Sequence, residues 1–325
     1  MSLTGKKKIV IKKKSKKFIS YPHQNNTNLE HKLAQKKEFY ELMPKDENTI
    51  VDLQQSRHFK YRNYQTWIKR YMSIDSPYNG ILLMHEVGTG KTCTALLFTD
   101  SFKKILQKFK NRAVYLTKSS LVESVYGEIF NLEKDSTKRK KIDHVQCLGN
   151  QYRLSDEYKI HTKVEKQRMI KKKIKQYYKI IGYEKFAREI AKTVGWDGNS
   201  DTLTDEIKRK INIAYSNRIF VMDEVHNIKT SGEIDKKLVP PIIETLIRYT
   251  SNTKLLLMSA TPMYDNPREI IFYVNLLRLN DGHEKITENE FFDKNDYLYE
   301  NKIDEFSGLV KGYISFVRGK KPPIF

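Results

Sequence analysis

One segment, LLMHEVGTGKT at residues 82–92, constrains the fold of this chain more than any other. An apolar run comes first, then two closely spaced glycines, then Lys91 and Thr92 at the start of an apolar stretch with helical spacing. Gly88 and Gly90 allow a tight turn in which successive backbone N–H groups point inward, and such a turn before a helix binds phosphate oxygens. The segment therefore predicts a strand, a phosphate-binding loop and a helix, in that order.

The polar residues of this loop have expected partners on a nucleotide. Lys91 would bring a point charge to the β- and γ-phosphates, and the Thr92 hydroxyl would ligate Mg²⁺ beside the positive end of the helix. His85 stands where the usual pattern has glycine, at a position where glycine is not required if the phosphates do not press there. The predicted nucleotide contacts are His85, Glu86, Val87, Gly88, Thr89, Gly90, Lys91 and Thr92.

Short apolar runs recur along the chain, and each is preceded by polar residues. Runs of this length suit strands that are buried on both faces of a parallel sheet, and helical patterns lie between them. The alternation predicts an α/β fold, a doubly wound domain with a mainly parallel sheet. The predicted strands lie within residues 80–86, 111–120, 144–149, 216–228 and 252–262, and a further strand leading into a helix lies within 178–190.

A second motif, IFVMDEVHN, brings Asp223 and Glu224 to the carboxyl end of an apolar strand, where ligands bind in open α/β sheets. Asp223 would hold Mg²⁺ directly or through water, because this ion takes few carboxylates together with phosphates. Glu224 would orient and deprotonate an attacking water. An Asp-Glu pair also caps ordinary strands, but a phosphate loop upstream favours catalysis by Lys91, Asp223 and Glu224.

A third motif, LLLMSATPM, is another strand that runs into small hydroxyl residues. Ser259 and Thr261 can hydrogen-bond toward Glu224 or His226 and so report the state of the γ-phosphate. Alone, Ser-Ala-Thr-Pro is also an ordinary exit from a strand into a turn. Its place after the other two motifs predicts coupling residues, namely His226, Ser259, Ala260 and Thr261.

In this order, HEVGTGKT, DEVH and SATP resemble motifs I, II and III of a superfamily 2 helicase, in its first RecA-like, ATP-binding domain. NYQTWIKRYM (63–72) resembles the upstream glutamine motif, which implies that Gln65 reads adenine. IIGYEKF resembles the strand of the Ib region. YLTKSSLVESVYGEI resembles motif Ia, which implies nucleic-acid backbone contacts by Thr117, Lys118, Ser119 and Ser120.

His85 and the LLMH before the loop resemble the helicases of large cytoplasmic DNA viruses, notably poxvirus nucleoside triphosphate phosphohydrolase I. The resemblance covers roughly residues 60–325. It implies a nucleic-acid-stimulated ATPase that uses ATP and Mg²⁺, a helicase or translocase of viral transcription with viral RNA polymerase as a possible partner. The implied location is the virion and the host cytoplasm, with the nucleus open because of the basic N-terminus.

The resemblance leaves a second RecA-like domain unaccounted for. The chain stops at GYISFVRGKKPPIF, where the resemblance puts the link to that domain, and nothing around Arg318 resembles motif VI. An arginine finger contributes about 10³–10⁵ in rate. We therefore expect ATP binding with slow turnover, unless a second RecA-like domain acts in trans. The alternative is a non-hydrolysing, ATP-gated adaptor of nucleic acid or RNA polymerase.

Other classes of nucleotide-binding protein explain the motifs less well. A small GTPase would carry an N-K-x-D base-reading motif; none of the three motifs here includes one, and the NKID at 301–304 lies outside them. A phosphate-loop kinase would leave DEVH and SATP unexplained. Nucleic acid should raise the ATPase rate of a helicase and leave the rate of a kinase unchanged.

The charge balance favours a polyanionic partner. The formal net charge of +21 points to nucleic acid, although a basic, well-solvated surface has the same composition. The lysine-rich start predicts a disordered tail over residues 1–38, with the globular domain over 39–325. A basic stretch over about 132–178 has helical spacing and predicts a helical insertion whose lysines either line a nucleic-acid path or face water.

The cysteines and the longest apolar runs indicate the redox state of the protein's compartment and whether the chain crosses a membrane. Cys93 and Cys147 have no metal-ligand spacing, which predicts a reduced compartment and no disulfide framework. No apolar run approaches the roughly 18 residues that span a bilayer, and the N-terminus has no signal-peptide core. We therefore expect a soluble protein that is not secreted and has no membrane partner.

Overall fold

Six strands lie side by side in one sheet, and every described strand pair is parallel. The computed structural model describes residues 21–43, 61–132, 146–149, 151–155, 161–228, 234–261, 263 and 266–318. The strands are β1 Gly80–His85, β2 Ala113–Thr117, β3 Tyr178–Gly182, β4 Ile219–Asp223, β5 Lys254–Ser259 and β6 Ile314–Val317. Their order across the sheet is β3-β2-β4-β5-β1-β6, so the strands that carry the predicted motifs are neighbours at its centre.

Helices cover both faces of this sheet. Those before β3 are α1 Leu29–Ala34, α2 Lys37–Tyr40, α3 Asn63–Tyr71, α4 Lys91–Asp100, α5 Lys103–Lys108, α6 Val122–Ile129 and α7 Lys163–Lys175. Those after β3 are α8 Tyr183–Val194, α9 Asp205–Tyr215, α10 Ile234–Tyr249, α11 Glu269–Asn280, α12 Glu288–Phe291 and α13 Ile303–Val310. The first group packs on one face, and the second group packs on the other.

Each strand divides its side chains between these two layers. On β1, Ile81 and Leu83 face the layer of α1–α7, whereas Leu82 faces the layer of α8–α13. Successive side chains of a strand point to opposite faces, so a strand covered on both sides needs a continuous apolar run. The predicted α/β fold with a parallel sheet is confirmed.

One prediction about the sheet is wrong, and one strand was not predicted. Residues 146–149 form a turn rather than a strand, because the Gln146 amide bonds the Asn131 backbone N–H and C=O and ties this segment to a loop. The segment GYISFV, where the resemblance puts the link to a second domain, contains the unpredicted strand β6. Its pairing runs from Leu82↔Ile314 to His85↔Val317, with further backbone bonds at either end. Its side chains are only partly covered, so it lacks the apolar run that marks the other strands.

The folded part of the chain includes residues 21–38, which composition assigns to the tail. Leu29, Leu33 and Phe39 are buried with α3, and the Tyr78 hydroxyl donates to the Pro22 carbonyl at 2.7 Å. Apolar residues spaced along two short helices supply the burial that the lysine-rich start lacks. The predicted disorder of residues 1–20 lies outside the described residues.

The predicted basic insertion contains a helix where the structure describes it. The helix α7 begins with a capping box in which Thr162 and Glu165 satisfy each other's backbone N–H groups. Ile170 and Ile174 are buried under it, whereas Val164 is exposed. Residues 133–145, 150 and 156–160 of this stretch lie outside the described part of the chain.

The prediction that the two cysteines form no disulfide is wrong, since a disulfide joins Cys93 and Cys147. Cys93 lies on α4 and Cys147 in the turn at 146–149, with their Cα atoms 5.1 Å apart. A sequence separation of 54 residues gave no sign of this contact. Among the described residues, no helix is long and apolar enough to cross a membrane.

Candidate active site

Three of the predicted motifs meet at one edge of the sheet. The strands β4, β5 and β1 are adjacent and parallel, and they end at Asp223, Ser259 and His85. The register pairs Asp223 with Met258 and Met84 with Ser259, so the strand ends are level. The phosphate loop, the acidic pair and the hydroxyl residues therefore surround one position at the carboxyl edge, where ligands bind in open α/β sheets.

The loop after β1 has the backbone that its glycines predict. Gly88 and Gly90 adopt φ values of 79° and 84°, in the left-handed region that favours glycine. Gly90 precedes the first residue of α4, so the N-terminus of that helix opens toward the loop. The Lys91 ammonium donates to the His85 carbonyl at 2.8 Å, and Thr89 is buried with its hydroxyl on the Glu86 carbonyl. The predicted strand, loop and helix are confirmed.

His85 contributes its backbone, and not its side chain, to the inside of the loop. Its imidazole is fully buried, and Nε2 lies 3.0 Å from the Ser315 hydroxyl on β6. The ring of Tyr64 meets it edge to face at 5.6 Å between centroids. Burial, and then the nearby Lys91 charge, lower the pKa of His85 to about 4, so the ring is neutral at pH 7. The side chain thus links the loop entrance to the edge strand.

Helix α3, which carries the glutamine motif, is bonded directly to the loop. Gln65 is buried; its Nε2 donates to the Gly90 carbonyl at 3.2 Å, and its Oε1 accepts from the Arg62 backbone N–H at 2.9 Å. The neighbouring Tyr64 hydroxyl donates to the Thr89 carbonyl. These bonds fix the position of the loop against α3. Adenine reading by Gln65 stays a prediction.

Asp223 is the most enclosed carboxylate of the predicted set. The Tyr115 hydroxyl donates to its Oδ2 at 3.1 Å, and the Tyr183 hydroxyl donates to its backbone carbonyl at 2.8 Å. Burial, and then the adjacent Glu224 charge, raise the pKa of Asp223 to about 6. A nearby cation would offset both effects, because it stabilises the ionised carboxylate.

The donor set fits Mg²⁺. Within the described part of the chain, no group of three or more histidine, cysteine, aspartate or glutamate side chains forms a complete metal site. Mg²⁺ does not need one, since it binds through one or two carboxylates, water and substrate phosphates. Asp223 and the Thr92 hydroxyl would hold the ion, which would neutralise charge on the phosphates.

Glu224 and the third motif are connected through His226. The Nδ1 atom of His226 lies 3.1 Å from the Ser259 hydroxyl and 3.5 Å from Glu224 Oε2, and the Thr261 backbone N–H donates to the same hydroxyl at 3.1 Å. Glu224 itself has a φ of 50°, in the left-handed region. Such backbone strain in a non-glycine residue concentrates at functional sites. Ser259 contacts His226 as predicted, whereas Thr261 bonds Ser259 through its backbone; the coupling role of these residues stays a prediction.

The residues of motif Ia divide into buried and exposed members. Thr117 ends β2 inside the sheet and is fully buried, so its side chain cannot contact nucleic acid in this conformation. Lys118, Ser119 and Ser120 follow it and are exposed. Of the four motif Ia residues, these three remain candidates for contact with a phosphate backbone.

Sequence reasoning missed the tyrosines Tyr64, Tyr115 and Tyr183. Their hydroxyls bond the loop or Asp223 from three separate segments. The one available signal was the position of Tyr115, a polar aromatic within the otherwise aliphatic run AVYL. A buried phenol normally needs a hydrogen-bond partner, so such a residue indicates a polar neighbour in the core.

Comparison with known proteins supports a helicase-type site. A family model described as "Type III restriction enzyme, res subunit" matches residues 58–264, which is more than half of the chain. The match includes the glutamine motif, the loop, the acidic pair and the third motif.

Viral proteins are among the relatives. A protein of Acanthamoeba polyphaga mimivirus, provisionally named an ATP-dependent RNA helicase, is 29% identical over 94% of this chain and 49% of its own length. A second mimivirus protein with the same provisional name is 25% identical over 97% of this chain and 28% of its own. A protein of Invertebrate iridescent virus 3, provisionally named a helicase, is 27% identical over 78% of this chain and 23% of its own length. The chain thus spans half of the first relative and about a quarter of the others.

Proposed function

The chain belongs to the family of the type III restriction enzyme res subunit, and from this premise we propose that it is the ATP-binding half of a nucleic-acid-dependent ATPase, a helicase or translocase. The family agrees with the superfamily 2 resemblance of the three motifs. One observation carries the proposal: a phosphate loop and a buried carboxylate lie at the level ends of β1 and β4, the two parallel strands on either side of β5.

ATP binding is supported by the loop. The N-terminus of α4 and the Lys91 ammonium supply a positive field at one point, and the turn through Gly88 and Gly90 brings backbone N–H groups there. The His85 carbonyl holds the ammonium at the loop without forming an ion pair with it. A phosphate can therefore take over this donor without breaking a salt bridge there.

Hydrolysis is supported by the acidic pair. Asp223 is fixed by two tyrosine hydroxyls, which suits a cation ligand, whereas Glu224 follows it in the chain and is half-buried. In this arrangement Glu224 accepts a proton from water, and His226 lies between it and Ser259. An adaptor that binds ATP without hydrolysis would use the same loop and remains the alternative.

The test is ATP hydrolysis by the purified chain, with and without single-stranded and duplex DNA and RNA. The expected result is ATP binding with slow turnover that nucleic acid accelerates. Binding with no hydrolysis under any condition would favour the adaptor. Absence of any effect of nucleic acid on either binding or turnover would contradict the nucleic-acid-dependent assignment.

The narrower expectations stay proposals. The relatives come from a mimivirus and an iridescent virus, which supports a virus-encoded protein. Membership of the poxvirus nucleoside triphosphate phosphohydrolase I type, a role in transcription, an RNA polymerase partner and location in the virion rest on the resemblance alone. A second RecA-like domain acting in trans is tested by adding the corresponding part of a relative and measuring turnover.

Nucleic-acid binding is supported by the net charge and by one face of α7. Arg168, Lys172 and Lys175 are exposed and spaced four and three residues apart, so they form a single stripe. Ile170 and Ile174 are buried, which leaves the stripe for a partner or for water. A phosphate backbone fits a row of cations of this kind.

Charge reversal tests whether the cations of α7 bind nucleic acid or only face water. In Arg168→Glu/Lys172→Glu we expect weaker nucleic-acid binding, with the slope of log affinity against log salt reduced by about 1 to 2, since two phosphate contacts are lost. The matched control is Arg209→Glu/Lys210→Glu, which changes the same charge on exposed residues of α9 in the opposite layer. Equal losses in both variants would mean that overall charge, and not α7, governs binding. The measurement is a fluorescence-anisotropy titration across salt concentrations.

A further inference from the structure

Tyr115 contacts one of the residues that are expected to hold Mg²⁺. Its hydroxyl donates to Asp223 Oδ2 at 3.1 Å. Tyr115 lies on β2 and Asp223 at the end of β4, so the phenol connects two segments that are far apart in sequence. Tyr115 is fully buried and is the first residue of the segment that resembles motif Ia, which gave it no role.

The sheet register explains why this residue reaches that position. Tyr115 is paired with Val221 on the neighbouring strand, and Asp223 is two residues further along the same strand and therefore on the same face. Diagonal neighbours of this kind are within reach of a long aromatic side chain. Tyr115 thus reaches from the middle of β2 to the strand end, where a shorter aliphatic residue would stop inside the core.

Burying the Tyr115 hydroxyl costs free energy of folding unless the hydroxyl has a hydrogen-bond partner. The ring belongs to the buried apolar cluster between the sheet and the layer of α1–α7, where phenylalanine would pack equally well. A buried hydroxyl without a partner costs about 1–3 kcal/mol, whereas a hydrogen bond to a charged group contributes about 1.5–3 kcal/mol. The bond to Asp223 therefore accounts for the hydroxyl.

Tyr115 and Tyr183 act on different parts of Asp223. Tyr183 belongs to the opposite layer and bonds the backbone carbonyl, so it fixes the main chain. Tyr115 bonds one carboxylate oxygen and so fixes the side chain. Of these two tyrosines, Tyr115 is therefore the one that can determine how the carboxylate is turned toward the loop.

We propose that Tyr115 is a positioning residue for the divalent cation of the ATP site, and that its hydroxyl holds one carboxylate oxygen of Asp223 in place. This inference rests on the proposed function, since the cation arrives with the nucleotide. Partners that orient metal ligands typically change metal affinity by about 10–100-fold when they are removed. The bond of Tyr115 to a ligand is of this kind.

The test uses Tyr115→Phe, which removes only the hydroxyl. Mn²⁺ affinity is measured by electron paramagnetic resonance at saturating ATP, and ATP affinity is measured separately in EDTA. We expect Mn²⁺ affinity to fall about 10–100-fold while ATP affinity in EDTA is unchanged. The matched control is Tyr178→Phe, because Tyr178 is also buried on a strand and its hydroxyl lies 3.2 Å from Thr99 Oγ1 at the other end of α4.

The outcomes distinguish failure of the role proposed for Tyr115 from failure of the proposed function. Wild-type Mn²⁺ affinity in Tyr115→Phe, or an equal loss in Tyr178→Phe, would overturn the role of Tyr115 and leave the ATP site standing. Failure of the wild-type chain to bind ATP in either condition would overturn the proposed function itself. Thermal melting of both variants checks that each is folded, and loss of fold in Tyr115→Phe but not in Tyr178→Phe would assign the hydroxyl to stability and overturn positioning.

Discussion

Replacing Lys91 with alanine is expected to weaken ATP binding by at least about 30-fold. The ammonium is the charged donor of the loop, and truncation of one partner in such a pair costs about 2–5 kcal/mol, with about 1.4 kcal/mol for each tenfold change in affinity. In the structure this group bonds the His85 and Glu86 carbonyls at 2.8 and 3.4 Å. The measurement is titration calorimetry with ATP in the presence of Mg²⁺.

A matched lysine controls for the loss of a half-buried ammonium. Lys254 donates to the Tyr78 and Ser76 carbonyls at 2.6 and 3.3 Å, much as Lys91 bonds two carbonyls. It starts β5, at the opposite edge of the sheet from the loop. Lys254→Ala should keep wild-type ATP affinity, whatever its effect on melting temperature. Unchanged affinity in Lys91→Ala would refute the assignment of the phosphate loop.

Replacing Glu224 with glutamine should leave ATP binding intact and slow hydrolysis by about 10²–10⁴-fold. The amide has nearly the same shape but cannot take a proton from water, and general-base catalysis contributes about this factor. The local backbone should persist, since the Asn227 side chain holds the Glu224 carbonyl at 2.9 Å. Single-turnover hydrolysis with the protein in excess over ATP measures even slow rates.

The control for this variant is Glu244→Gln. Glu244 lies on α10 and bonds Lys285 at the surface, away from the loop. The same chemical change there should leave hydrolysis at the wild-type rate. If Glu224→Gln hydrolyses ATP as fast as the wild-type chain, another residue activates the water.

The central strands could be predicted because burial on both faces requires a run of apolar residues. An apolar run does not mark β6, because its side chains are only partly covered. This strand belongs to the sheet through its backbone pairing with β1, which the sequence does not reveal. Apolar sequence also misled the prediction over residues 146–149, where buried Cys147 and Leu148 lie in a turn. An apolar residue shows that a segment is buried, but not that it belongs to the sheet.

The site divides in the same way. The loop and Asp223 were predictable because each belongs to a short continuous segment that follows one strand. Contacts that depend on two strands lying side by side were not, such as Tyr115 on Asp223 or His85 on Ser315. Thr117 shows the opposite error, since a motif match does not reveal that a hydroxyl points into the core.

The pairing of β6 with β1 has a mechanical consequence. The two strands run in the same direction over four paired residues, and the Glu86 backbone N–H donates to the Val317 carbonyl at the point where the phosphate loop begins. The chain then continues from Val317 toward residue 325. A pull on that continuation, along the strand direction, loads these hydrogen bonds together in shear instead of opening them one at a time. Force applied after Val317 is therefore transmitted directly to the strand that carries the loop.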